Sequence, residues 1–382
     1  MFEEVTIRKF RCFKELNVEG LKKFNLFVGQ NNVGKTTFLE AVFLAAGYCN
    51  PRLAASIEAI RRRAARFEMR VNIPAVTHYA ESPWDGLFYD FDASSPISID
   101  TIQSLGNSSS KKSRHRISFE LAVEFGQDYS IPAITTQEKS ELDSSSNGIS
   151  GVDGPSPSFL TRLSMTTTEG KKQTVNRLSL LSDGTPTLEK NIPITTQSVL
   201  FTPNQPSSME DNSKRYSKLQ EVGKERAVIE GLRAFEPRLE YLTVLWKGQA
   251  PEISCKLRGI EKMIPLPLMG DGMTRLLSMM LVVIESSEGV ALLDELENGI
   301  HYSKREQTWE LLAEMSKFSN AQIIATTHSM ECVVAAYEAF KKMGRTSEFA
   351  LYRFERVGDD VKPIAYNWDT FKRALESGLE VR

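Results

Sequence analysis

Apolar positions near the start of the chain fall in short runs. Residues 5–10 ("VTIRKF") and 24–28 ("FNLFV") read as strands rich in Val, Phe and Leu. Residues 35–46 ("KTTFLEAVFLAA") read as a helix and residues 53–67 as a second, basic helix. The middle of the chain has another character. Residues 116–125 ("RISFELAVEF") alternate apolar with polar, the mark of a half-buried strand, and similar strands are predicted at 159–165 and 176–181. Between them, residues 140–158 are rich in Ser, Gly and Asp and read as a mobile loop. Helical spacing returns over 214–235, followed by strands at 241–245 and 252–257. Helix and strand then alternate: helices at 273–284, 305–318 and 330–342, strands at 290–293, 322–326 and 351–354.

This pattern predicts an α/β fold with a mixed sheet flanked by helices. Both ends of the chain, roughly 1–100 and 211–382, build one nucleotide-binding unit around a β-rich insert at 101–210. There is no internal repeat and no sustained heptad pattern, so no long coiled-coil arm is expected. The length of 382 residues, 41% hydrophobic and 25% charged, allows a sizeable core. A net charge of −2 argues against a globally basic nucleic-acid binder. Two local basic stretches, 60–70 ("IRRRAARFEMR") and 111–116 ("KKSRHR"), are either solvated faces or contacts to DNA or RNA, and neither carries interleaved aromatics for base stacking. Cys12, Cys49, Cys255 and Cys332 stand far apart, with no C-x-x-C pair to suggest zinc or a disulfide framework. The early charges of "MFEEVTIRKF" leave no apolar signal region, and no run reaches membrane-spanning length. These features point to a cytoplasmic setting without membrane contact. Asp359-Asp360 reads as a turn rather than a metal site.

The chemistry concentrates in four short motifs. "GQNNVGKTT", residues 29–37, fits G-x-x-x-x-G-K-[ST] between an apolar strand and a helix, the context that a phosphate-binding loop requires. Gly29, Asn31, Asn32, Val33, Gly34, Lys35, Thr36 and Thr37 are therefore the candidate nucleotide-binding residues. Backbone N–H groups should curl around phosphate oxygens, Lys35 should reach the β- and γ-phosphates, and the Thr36 hydroxyl should bind Mg²⁺. In "GVALLDELENG" a buried strand ends in Asp294, a candidate Mg²⁺ ligand, and Glu295, a candidate general base. Glu297 either orients metal-bound water or caps the turn at Asn298-Gly299. In "QIIATTHSME" a third apolar strand ends near His328, where ligands gather in parallel sheets, placing it to sense the γ-phosphate. The fourth motif, "PLPLMGDGMTRLLSMM", sets a Gly270-Asp271-Gly272 turn before an apolar helix.

Taken in order, "IRKFRCFKEL", "FVGQNNVGKTTFLEA", "GDGMTRLL", "LLDELENGIH" and "ATTHSMEC" resemble the ABC-type ATPase heads of the SMC, RecF and OLD-like superfamily. The resemblance covers roughly residues 1–47 and 228–336 plus the short tail. It implies a P-loop ATPase fold and ATP hydrolysis with Mg²⁺. It also implies a homo-oligomer, at least a head-to-tail dimer, in which Gly270, Asp271 and Gly272 cap the γ-phosphate held by a second copy. The turn departs from the usual Leu-Ser-Gly-Gly-Gln: Gly270 stands in place of a serine, and Asp271 brings an acid near phosphate or bonds Arg275. Arg11 matches an arginine that in relatives reaches nucleotide. The OLD nucleases carry a Toprim domain, for which the residues after His328 are too few. Stand-alone members often work beside a toxin or nuclease in anti-phage defence, which implies an effector partner. A RecF-like DNA-repair ATPase and a slow ATP-locked scaffold are the alternative readings.

Overall fold

The computed structural model describes residues 1–47, 49–61, 84–105, 113–125, 159–181, 186–188, 198–203, 209–248, 250–378 and 381. The chain opens with strands β1 (Phe2–Phe10), β2 (Phe13–Glu19) and β3 (Phe24–Gly29), then helices α1 (Lys35–Ala46) and α2 (Arg52–Arg61). The middle supplies β4 (Ile97–Leu105), β5 (Ser113–Phe125), β6 (Phe159–Glu169), β7 (Lys172–Leu181), β8 (Pro186–Leu188) and β9 (Ser198–Phe201). Next come α3 (Met209–Glu221), α4 (Arg226–Arg233), β10 (Leu239–Lys247), β11 (Ala250–Leu257) and β12 (Ile264–Pro265). The last part holds α5 (Asp271–Glu285), β13 (Val290–Leu293), α6 (Arg305–Ser319), β14 (Gln322–Thr326), α7 (Met330–Lys342), β15 (Phe349–Val357), β16 (Asp360–Tyr366) and α8 (Trp368–Glu376).

The central sheet has six strands in the order β16-β15-β3-β14-β13-β9, parallel except for the antiparallel edge strand β16. Its middle strands are buried on both faces, which is why they read as continuous apolar runs rather than alternating ones. Successive residues serve opposite cores. Leu26, Val28, Leu293 and Ile323 pack with the helices α5–α7, whereas Phe27, Leu292 and Ile324 pack with α1 and a second sheet. On that second side Phe27 lies 4.5 Å from Phe38 of α1 and 5.2 Å from Phe354 of β15, ring centre to ring centre, locking the phosphate-loop helix onto the sheet.

The second sheet is antiparallel, seven strands in the order β2-β1-β4-β5-β6-β7-β8. It joins the N-terminal hairpin to the strands of the middle region, and residue 100 falls inside β4. A small third sheet, β10-β11-β12, leads into α5. The helix expected over 214–235 is instead two helices, α3 and α4. Gly223, at φ 66°, ends the first, with Lys224 N–H donating to the Leu219 carbonyl at 2.9 Å and Gly223 N–H to Gln220 at 3.0 Å, a glycine stop that local apolar spacing does not reveal. The helix expected over 53–67 is seen as Arg52–Arg61, and 62–67 lie outside the described residues, as do the 140–158 loop, residues 62–70 of the first basic stretch and residues 111–112 of the second. Among the described residues no helix is long and apolar enough to cross a membrane.

Candidate active site

β3 ends at Gly29 and α1 begins at Lys35, so the intervening loop sits at the C-terminal edge of the parallel sheet. Gly34 precedes the helix with φ 102°, and a Cβ there would stand 2.6 Å from the Phe13 ring and 2.9 Å from Cys12 Sγ. Only glycine meets both demands. No side chain caps α1 and no acid lies in its first turn. The orphan N–H groups and the positive end of the helix dipole therefore stay available to an anion. Lys35 Nζ donates to the carbonyls of Gly29 at 2.7 Å and Gln30 at 2.9 Å, and lies 3.3 Å from His328 Nδ1. Burial lowers its pKa to about 8, although Asp294, Glu295 and Glu297 pull the other way.

β13 delivers the two acids. Asp294 is buried, and burial holds its pKa above the ordinary carboxylate value, opposed by hydrogen bonds from Thr326 and Thr36. Thr36 Oγ1 donates to both Asp294 oxygens, at 3.1 and 3.0 Å, and Thr326 Oγ1 donates at 2.7 Å. The same Thr326 hydroxyl accepts the Glu295 N–H at 2.9 Å. One threonine of β14 thus holds the carboxylate of Asp294 and the backbone of Glu295. Glu295 has φ 48°, and Arg275 of α5 donates to its carbonyl at 2.9 Å while lying over the Phe201 ring of β9 at 4.9 Å. The Glu295 carboxylate accepts a bond from Asn298 Nδ2 at 2.5 Å and faces His328 Nε2 at 3.8 Å. Glu297 Oε1 accepts the His328 backbone N–H at 2.7 Å. Burial, then the neighbouring Lys35, lowers the His328 pKa and favours the neutral ring.

These elements enclose a cavity of about 410 Å³ lined by Asn31, Asn32, Gly34, Lys35, Thr36, Thr37, Arg61, Glu295, Glu297, Asn298 and His328. Residues separated by nearly 300 positions in sequence, Lys35 and His328, are brought into contact there. Asp294 is not in that lining but is bonded to Thr36, and Gly29 and the buried Val33 belong to the loop without lining the cavity. The Thr36 hydroxyl and Asp294 carboxylate form an oxygen-only donor set, and no cluster of three or more His, Cys, Asp or Glu suited to a metal occurs among the described residues. Such a pair fits a hard cation that completes its shell with phosphate and water.

Two further sets of sequence candidates lie away from the cavity. Arg11 is expected at the nucleotide, but its guanidinium is buried between Glu40 at 3.0 Å and Glu58 at 2.8 Å, and a different arginine, Arg61, reaches the cavity. Its φ of 49° and the bond from its N–H to Leu87 O turn the chain into that interior position. Gly270, Asp271 and Gly272 form the start of α5. Gly270 and Asp271 are exposed, Asp271 has no bond to Arg275, and Gly272 packs so closely that an added Cβ would stand 3.0 Å from the Gly299 carbonyl. Thr326, Asn298, Arg275 and Arg61 were not legible as site residues. The one local signal was polarity at the end of an apolar strand, in Thr326-Thr327, and a second basic residue beside the loop helix is visible only in three dimensions.

Comparison with known proteins agrees with this geometry. Residues 1–152 match a family described as "AAA ATPase domain", and residues 257–333 match "AAA domain, putative AbiEii toxin, Type IV TA system". The first segment holds the phosphate loop; the second holds the Gly-Asp-Gly turn, both acids and His328. A Helicobacter pylori protein named "ATP/GTP phosphatase" is 22% identical over 390 residues, covering 99% of this chain and 98% of that one. Among solved structures, an SMC head bound to the C-terminal winged-helix domain of ScpA aligns with a TM-score of 0.47 and 12% identity, over 96% of this chain and 98% of that one. The SMC head domain from Thermotoga maritima aligns with a TM-score of 0.39 and 11% identity, over 96% and 98%. Fold and site together define a P-loop ATPase. More narrowly, its two matched segments, residues 1–152 and 257–333, are similar to AAA ATPase domains.

Proposed function

We propose that the protein hydrolyses ATP in the cavity between α1 and the ends of β13 and β14. The observation that carries this reading is the convergence of Lys35, the Thr36–Asp294 pair, Glu295 and His328 on one anion-accepting helix terminus. Lys35 holds the β- and γ-phosphates. Thr36 and Asp294 would hold Mg²⁺, which when bound neutralises charge on those phosphates. Glu295 takes the proton of the attacking water, kept in place by Asn298 through its side chain and by Thr326 and Arg275 through its backbone. His328, held neutral, accepts or donates a hydrogen bond toward the γ-phosphate and the water. Phosphate release by the purified protein, lost in folded Lys35→Ala, tests this; turnover and affinity unchanged in that variant would sink it.

The same reading extends to assembly. Gly270, Asp271 and Gly272 do not line their own cavity, yet Gly272 packs on Gly299, next to the cavity residue Asn298. That placement supports a role for the turn toward the nucleotide of a second copy, so that ATP closes a head-to-tail dimer and hydrolysis opens it. Light scattering on Glu295→Gln with ATP should give a dimer, and Gly272→Arg added to it should give a monomer that still binds ATP. A Glu295→Gln protein that stays monomeric at saturating ATP contradicts the dimer. The toxin–antitoxin description of the match over 257–333 supports a partner effector governed by this cycle, in a setting of anti-phage defence. Capture of a partner that depends on Glu295→Gln with ATP, and is lost with Lys35→Ala, tests that step.

A further inference from the structure

Outside the residues used above, the described residues of the cavity wall hold one more cation. Arg61, the last residue of α2, belongs to the basic stretch that the nucleotide chemistry did not absorb. It is not a free surface arginine. Its Nε donates to Glu40 Oε1 at 2.8 Å and its Nη2 to Glu40 Oε2 at 3.0 Å, a bidentate pair with a carboxylate that is only 2% exposed. Nη2 also lies 3.4 Å from Thr37 Oγ1. The other flank of Glu40 is held by Arg11, which reaches on to Glu58, one turn before Arg61 on α2. Two arginines and two glutamates therefore tie α2 to the second turn of α1. The Nε–Nη2 edge of Arg61 is committed to that anchor, while Nη1 has no partner among the described residues and the side chain is 40% exposed at the cavity.

We propose that Arg61 is a further substrate-binding residue, donating to the α-phosphate of the bound nucleotide, and that Glu40 and Arg11 are the positioning residues that aim it. The proposal rests on the phosphate-loop reading above. In such a loop the lysine reaches the β- and γ-phosphates and the backbone cradles the α- and β-phosphates. Thr37, two residues beyond Lys35, marks the α side, and Arg61 stands next to Thr37 rather than next to Glu295 and His328. A guanidinium fixed on one edge binds an anion on the other without first losing side-chain freedom. This also accounts for the displacement of Arg11 from the cavity: it braces the arginine that does the binding.

The test is the affinity of ADP, and of ATP in the Glu295→Gln background, measured calorimetrically for Arg61 and for Arg61→Ala. Loss of one partly exposed charge-assisted contact weakens both nucleotides by about tenfold. Because the α-phosphate is common to both, the two losses are equal, and kcat at saturating ATP is retained while KM rises. Arg61→Lys, which keeps the charge but not the bidentate anchor, falls between. Glu40→Gln, which loosens Arg61 without removing it, weakens both nucleotides by a smaller factor, and gives a second reading if Arg61→Ala proves unstable. Equal affinity in Arg61→Ala and wild type overturns the proposal, as does a loss confined to ATP, which places Arg61 at the γ-phosphate. A wild-type protein that binds neither nucleotide instead overturns the phosphate-loop reading beneath it.

Discussion

Thr326→Val removes one hydroxyl from a fully buried position and leaves the shape of the side chain nearly unchanged. That hydroxyl makes two bonds: it donates to Asp294 Oδ1 at 2.7 Å and accepts the Glu295 N–H at 2.9 Å. A bond to a charged group contributes about 1.5–3 kcal/mol and a neutral one about 1 kcal/mol, so the variant should lose about 2–4 kcal/mol of stability. Unfolding entropy for a chain of this length, about 0.8 kcal/mol per kelvin, converts that to a fall in Tm of about 3–5 °C. The function should suffer in a directed way. The Thr326 bond stabilises the ionised form of Asp294 against the burial that raises its pKa. Without it the pKa rises further, and a larger share of Asp294 is protonated at any acidic pH. Since the ionised carboxylate is the form that binds a cation, the acid limb of the ATPase profile moves to higher pH. Thr326→Ser keeps the hydroxyl and should restore the position of that limb. Calorimetric melting with phosphate-release assays over a pH series measures both effects. A Thr326→Val protein with wild-type Tm and acid limb would refute the reasoning, and so would a Thr326→Ser protein as impaired as the valine variant.

Lys35, with its pKa lowered to about 8 in the free protein, binds phosphate as the ammonium. ATP affinity should therefore be flat below that pH and fall about tenfold per unit above it, until the pKa of the bound form is reached. Titration calorimetry in buffers of different ionisation heat should register proton uptake on binding there, absent in Lys35→Met; pH-independent wild-type affinity across that range would refute it. Gly34→Ala combines a left-handed backbone at φ 102° with a Cβ 2.6 Å from the Phe13 ring. The two penalties sum to about 2–5 kcal/mol, with loss of nucleotide binding, and Phe13→Leu in the same chain should return part of the stability measured by urea unfolding.

What the sequence disclosed follows from how local each signal is. The loop of residues 29–37 and helix α1 need only neighbours in the chain, and α1 runs over Lys35–Ala46 as its apolar spacing predicts. β13 and β14 were legible because strands buried on both faces are unbroken apolar runs. β9 was not: its four residues, Ser198–Phe201, carry no alternation and acquire meaning only by pairing with Val290–Leu293. Its Phe201 then supports Arg275, so a site element was hidden in a stretch with no pattern of its own. The joining of β1 and β2 to the middle strands in one sheet was equally invisible, because antiparallel pairing between Thr6 and Asp100 leaves no mark on either segment. Arg11 and Arg61 differ in burial by a fold of the chain at Arg11, where φ is 49°, and charge alone cannot tell which of two arginines faces the ligand.

The most direct test of the central claim is single-turnover phosphate release from Glu295→Gln preloaded with ATP. Glu295 is the one carboxylate at the cavity wall that faces His328 and is held by Asn298, and glutamine keeps its shape while removing the base. The account predicts ATP affinity like that of the wild type, with phosphate release slowed by about a hundredfold or more. Release at the wild-type rate from a folded, ATP-loaded Glu295→Gln protein would contradict it.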